Sequence, residues 1–413
     1  MESAPRSSNT PTILQLILGL VTLGLSLVTT LAMVILAVAG AQAQLGTTKT
    51  VYYAAWLCLA FGLSAIPSIV FSIGRLSHAA ESPLQNDRGF LSASLSLIIL
   101  VPLGLLTTLP AFNPPSSVFM VFANSLFVVL PAWWLVELGR RKLPRITRQK
   151  QWGLFNFGAF VSVPVIILIE VILLILGAGV LVAFLKRIPE YTALLNSFQN
   201  LMVMNMDSLP LIVEQFKPLL QNPGVIASLF AAIALVVPLV EELLKPLALW
   251  LFVKRRWSPA EGFIAGMVSG AAFSIVESLF AMTAVAGESW LALAGARVGT
   301  TLLHITTAGL SGWALTSTWQ DGKIRRVVLT YLLVVFVHGL WNASAILVGI
   351  SQMDGLLPMP STPVLSYIAI AVMGLLILAL ISLLVLINRH LRRQNSSPLP
   401  PPVLPPLPQG ALE

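Results

Sequence analysis

Apolar runs of about twenty residues recur ten times along this chain, roughly at 12–40, 51–73, 90–112, 118–138, 153–185, 224–253, 260–285, 290–318, 327–350 and 363–388. A helix of that length rises about 30 Å, the thickness of a bilayer's hydrocarbon core. In hydrocarbon every backbone N–H and C=O needs a partner within the protein, and a helix supplies them locally. A β-barrel would show shorter segments of alternating polarity instead. The sequence therefore predicts an all-α, polytopic membrane protein with about ten transmembrane helices. Composition agrees, because 57% of the 413 residues are hydrophobic and only 10% are charged, against roughly 25% charged in soluble domains. Mean hydropathy is +0.89. A soluble enzyme, a disordered chain and a nucleic-acid-binding domain are excluded on these grounds.

The net charge of +8 reads as a topology signal. With the N-terminus in the cytoplasm and the ten spans alternating, 18 of the 24 lysines and arginines fall on the inside. They include Arg140, Arg141, Lys142, Arg145, Arg148 and Lys150 in one segment, Lys254 to Arg256 in another, and Lys323, Arg325 and Arg326 in a third. Outside loops hold only Lys49, Lys186, Arg187 and Lys217. That asymmetry predicts cytoplasmic N- and C-termini; the expected location is the cell (plasma) membrane. Ala41-Gln42-Ala43 resembles a signal-peptide cleavage site, but the apolar run before it is about twice the usual h-region, so the first span is expected to be retained. The single cysteine, Cys58, lies inside an apolar run. An intramolecular disulfide and a cysteine-based zinc site are thereby excluded.

Five regions follow. Residues 1–185 form a five-span N-terminal membrane region, and 186–223 an external segment in which Leu, Ile and Met alternate with Glu190, Asp207, Glu214 and Lys217. Such a mixture predicts a connector containing a helix in the membrane interface. Residues 224–350 hold a four-span bundle, 351–393 the final span with a basic end, and 394–413 a proline-rich tail predicted to be extended and disordered.

Polar residues in the spans are distributed unevenly. The first four spans carry no ionisable group near their middles, and the fifth carries Glu170 alone. The next four carry Glu241, Glu242, Lys245, Glu277, Arg297, His304, His338 and Asn342. At about 3 kcal/mol each, the five formally charged members would cost on the order of 15 kcal/mol if left in lipid. They are therefore expected to face one another inside the bundle. Glu241 and Lys245 are four apart and share a helix face, with Glu242 about 100° away. Pro238 and Pro246 bracket this stretch and free backbone carbonyls, which spans tolerate where they line a polar cavity. His338 and Asn342 are also four apart. Gly266-x-x-x-Gly270 and Gly295-x-x-x-Gly299 predict close approach of the seventh and eighth spans to neighbours. Arg297, near an outer end, is expected to snorkel in a structural role.

Glu241-Glu242-x-x-Lys245, Phe273-x-x-x-Glu277, mid-span His304 and His338-x-x-x-Asn342 together resemble the PrsW family of intramembrane proteases. That family is related to the CAAX-protease and abortive-infection membrane proteins, whose second motif ends in His where this chain has Glu277. The resemblance covers about residues 224–350. The last motif ends in Asn342, as in the CAAX relatives, where an acid is frequent in PrsW-type members.

The resemblance implies an intramembrane endopeptidase that hydrolyses membrane-anchored protein or peptide substrates in the bilayer, with no nucleic-acid partner. Such hydrolysis needs an activated water, a polarised carbonyl and oxyanion stabilisation. Glu277, His304 and His338 are the candidate ligands of a Zn²⁺ ion in a His₂Glu site with a position left for water. Glu241, Glu242, Lys245 and Asn342 are the candidate catalytic residues, with Glu241 slightly favoured as base and Lys245 as its orienter and charge partner. Without a metal, a Glu–His pair can activate the water while His338 and Asn342 hold the oxyanion. Two rival classes use similar residues. A proton- or metal-ion-coupled transporter usually repeats its broken helices in both halves, whereas here the polar groups occupy one half. A non-catalytic binding protein predicts loss of a paired Glu or His.

Overall fold

The computed structural model describes residues 9–42, 48–77, 88–107, 109, 118–144, 146–189, 191–192, 217–219, 221–251, 257–282, 289–351 and 363–396. Ten long helical segments account for nearly all of them: α1 (Thr10–Gly40), α2 (Val51–Leu76), α3 (Gly89–Thr107), α4 (Phe119–Arg140), α5 (Arg148–Leu185), α6 (Pro223–Leu244), α7 (Pro259–Ala281), α8 (Ser289–Asp321), α9 (Ile324–Ser351) and α10 (Val364–Gln394). Among the described residues there is no strand. All except α8 are long and apolar enough to cross a membrane. The chain is thus an all-α, integral membrane protein, as the apolar runs predict.

α8 has the length but not the apolarity, and its position explains why. From Thr301 to Gly312 every residue is buried among other helices, so none needs to be soluble in lipid. Its hydroxyls bond to the preceding turn: Thr300 Oγ1 donates to Ala296 O at 3.1 Å, Thr301 to Arg297 O at 2.8 Å, and Thr316 to Gly312 O at 2.9 Å. α7 is its principal partner. A Cβ on Gly262, Gly266 or Gly270 of α7 would collide with Thr316, the Ala308 carbonyl or the His304 carbonyl of α8, in that order. A Cβ on Gly312 would meet the Gly262 carbonyl in return. The glycine stripe lets the backbones touch, which is how spans associate where no hydrophobic drive exists between them. Of the second predicted pair, only Gly299 is approached, by Trp341 of α9; nothing lies near Gly295.

A ring of helices surrounds this pair. Ala132 and Leu135 of α4, Phe263 of α7, Leu303 of α8, Trp341 of α9 and Leu384 of α10 join in one core. α1 packs on α2 and α9 on α10, with large aliphatic side chains turned outward on α1 and α5. Ser258 starts α7 with a capping box, in which its Oγ accepts from Glu261 N at 3.2 Å and Glu261 Oε2 accepts from Ser258 N at 2.9 Å.

Two spans carry a π-helical turn. α5 widens into a π-helical turn at Gly158–Ser162 just before Pro164, and α6 does so at Ala232–Val236 just before Pro238. Proline has no N–H to give, so the ladder slips by one residue. α6 is also shorter than the uninterrupted 224–253 span the sequence predicts. It stops at Leu244, and a short helix, Leu247–Leu251, resumes after Pro246. The last helix continues to Ser396. Most of the 186–223 segment, the rest of the tail and Lys254 to Arg256 lie outside the described residues.

Candidate active site

Around the break in α6 the side chains of Glu241, Glu242 and Lys245 turn inward and are buried. The Lys245 ammonium is fully enclosed. It lies 2.8 Å from Glu241 Oε2, 2.7 Å from Glu242 Oε1 and 2.7 Å from His304 Nδ1. Its remaining neighbour is the face of Phe273, whose ring centre is 4.5 Å away. One ammonium thus answers two carboxylates at once, which lets both stay in a dry interior. Glu241 pairs with it at the four-residue spacing, and Glu242 does so at three.

The two imidazoles arrive from α8 and α9, with ring centres 5.1 Å apart and nearly perpendicular. His304 is held on its far side by Glu277, whose Oε2 lies 2.9 Å from His304 Nε2. These partners assign its tautomer: Nε2–H donates to Glu277, and Nδ1 accepts from Lys245. His338 turns Nδ1 to Glu242 Oε1 at 2.8 Å, with Nε2 facing Glu241 Oε2 at 3.8 Å. Each imidazole therefore has its own carboxylate. The close α7–α8 contact sets the first of these pairs, since Gly270 packs on the His304 carbonyl.

Arg297 belongs to this network. Its Nη2 lies 2.7 Å from Glu277 Oε2 and its Nε donates to Ser278 Oγ at 3.0 Å. Its place near an outer end by itself predicts a snorkelling residue. The available signal was the opposite charge of Glu277 on the preceding span. Glu170 stands on α5 outside the cluster, its Oε1 buried without a hydrogen-bond partner.

Asn342 faces backbone. The π turn explains this, because Val237 N–H reaches back to Ala232 O and leaves the Ile233 carbonyl without its usual donor. Asn342 Nδ2 supplies one at 3.0 Å. One turn earlier, a Cβ on Gly339 would collide with the Ala234 carbonyl, the group that Pro238 cannot serve. α9 is thereby locked against the irregular part of α6, next to His338. Tyr331 adds a third tie, donating to Leu239 O at 2.8 Å.

Among the described residues, Glu241, Glu242, His304 and His338 form a group able to hold a metal ion, with one ligand atom from each lying within 4.8 Å of the others. Glu277 stands one step outside it, behind His304. Two observations fit a cation here. Glu242 Oε2 is buried without a hydrogen-bond partner, and imidazoles braced by carboxylates are the usual form of metal-ligating histidine. Carboxylate and imidazole together suit a borderline divalent ion.

Helical spans enclosing a buried acid–imidazole cluster that can take a metal are what a membrane-embedded hydrolytic enzyme requires. Residues 147–379 match the PrsW family of intramembrane metalloproteases. The chain belongs to that family, and it is a membrane peptidase acting on protein in the membrane. The match begins at Thr147, the N-cap of α5, and so reaches beyond the 224–350 stretch that carries the sequence motifs. Comparisons with curated proteins and with solved structures found no match.

Proposed function

We propose that the protein cleaves peptide bonds of membrane-anchored proteins or peptides by attack of a water molecule that Glu241 deprotonates. The observation carrying this reading is the meeting of Glu241, Glu242, His304 and His338 within 4.8 Å, beside a lysine that balances both acids. Glu241 is the less enclosed of the two carboxylates, at 8% side-chain exposure against none for Glu242. It can therefore meet a water while Glu242 stays bound to His338 and Lys245.

His338 and Glu242, with His304 once its Nδ1 gives up the Lys245 ammonium, would hold the metal, with Zn²⁺ the ion this donor set suits. When bound, it supplies Lewis-acid polarisation of the water and of the scissile carbonyl. Glu241 takes one proton as the water oxygen bonds to the carbonyl carbon. It passes that proton to the amide nitrogen as the C–N bond breaks, leaving an amine and a carboxylic acid, whose proton then moves to the amine to give carboxylate and ammonium. Glu277 keeps His304 in the tautomer whose Nδ1 faces the site, and Arg297 keeps Glu277 in place. Lys245 holds the two acids together, and Phe273 closes off that side of the cluster. Asn342 acts through α9, positioning His338. Residues 224–350 form the catalytic bundle and the first five spans shape its surroundings. The protein works in the plasma membrane with both termini in the cytoplasm.

The test is cleavage of a membrane-anchored reporter by purified, reconstituted protein, with zinc measured on the same samples. Wild type should carry about one zinc per chain. Glu241→Gln should keep the metal and lose turnover by about 10²–10⁴-fold, the range of general-base catalysis. His304→Ala should lose the metal. Near-normal cleavage by both Glu241→Gln and Glu242→Gln would end this reading.

A further inference from the structure

α7 carries its site residues on one face, and the opposite face borders a different space. Val268, Ala271, Ile275 and Leu279 recur there at helical spacing. With residues of α2, α4 and the start of α5 they enclose a cavity of about 410 Å³. The cavity is long and narrow, since Val268 to Leu279 spans roughly 16 Å of helix. That is about the depth of one leaflet of a bilayer. Its lining is apolar apart from Ser64, Ser125 and Gln151. Three dispersed polar groups cannot hold a file of waters, each of which needs two to four partners. The occupant must be apolar, and a slot about one leaflet deep suits a hydrocarbon chain.

The two ends of the slot differ in polarity. At one end stand Gln151 and Trp152, immediately after Arg148 and Lys150. Arg140 donates to Gln151 Oε1 at 2.7 Å, and the exposed Arg141 and Lys142 lie at the same membrane boundary. On its flank Ala60, Val129 and Trp133 are exposed, so the slot is open to the lipid phase between α2 and α4. We infer that it binds one acyl chain of an anionic phospholipid, with the phosphate at the basic end. A lipid there braces the wall of α7 behind Phe273 and Glu277.

The experiment uses the full-length protein, delipidated in detergent and titrated with phosphatidylglycerol or phosphatidylcholine while bound lipid is counted by native mass spectrometry. One phosphatidylglycerol should bind about fivefold more tightly than phosphatidylcholine at low salt. Ala60→Trp fills the slot from its exposed edge and should weaken binding at least tenfold in monodisperse protein. Val129→Phe should do the same from α4, should Ala60→Trp fold poorly. Arg148→Ala should erase the preference for phosphatidylglycerol while leaving chain binding. Equal binding of the two lipids, or unchanged binding in both slot-filling variants, would overturn the proposal.

Discussion

His304 and Glu277, on adjacent spans, are joined by a 2.9 Å contact between Nε2 and Oε2. This leaves the other ring nitrogen of His304, 2.7 Å from Lys245 Nζ, directed at the acidic pair. A carboxylate behind an imidazole fixes both its orientation and its tautomer. Glu277→Ala should therefore lower zinc affinity by about 10–100-fold, read by competition with a chromogenic chelator. Unchanged affinity would separate Glu277 from the metal site.

Lys245 touches three site residues at once, so its removal should expose the cost of burying two acids together. Lys245→Met in metal-free protein should reduce unfolding free energy by about 3–5 kcal/mol, the penalty of stripping one partner from a buried ion pair. Thermal unfolding in detergent provides the measurement. Zinc should recover part of the loss, because a second cation then answers the same carboxylates.

The glycine contact of α7 with α8 is specific to one face. Gly266→Leu should disrupt it, costing about 3 kcal/mol or more by overpacking, and should abolish cleavage because His304 moves with α8. Gly295→Ala has nothing within 4 Å to meet and should leave stability and turnover within about 0.5 kcal/mol of wild type. Equal effects from the two substitutions would mean that close approach of α7 and α8 does not govern the site.

Topology can be read chemically. In a Cys58→Ala background, a cysteine introduced at Lys142 should resist a membrane-impermeant thiol reagent in intact cells and react once the cells are opened. Labelling from outside would reverse the orientation drawn from the basic residues.

Much of the architecture was legible in the sequence because bilayer thickness imposes a length on every span and penalises unpaired charge. Each of the ten predicted spans corresponds to a helix, nine of them apolar enough to cross a membrane, and the unequal distribution of Glu, His and Lys pointed to the helices that converge. The pairing of Glu241 and Glu242 with Lys245 was visible because neighbours three and four apart on one helix meet wherever the helix goes. Relations between helices were not visible in the same way. That Glu277 attends His304, that Glu242 attends His338, and that Arg297 reaches inward depend on the rotation and height of one helix against another. Those are set by the glycine contact of α7 with α8 and by the π turn in α6, where Asn342 serves a carbonyl that a regular helix would have hidden. Local spacing determines which side chains share a face. Packing of whole surfaces decides which faces meet.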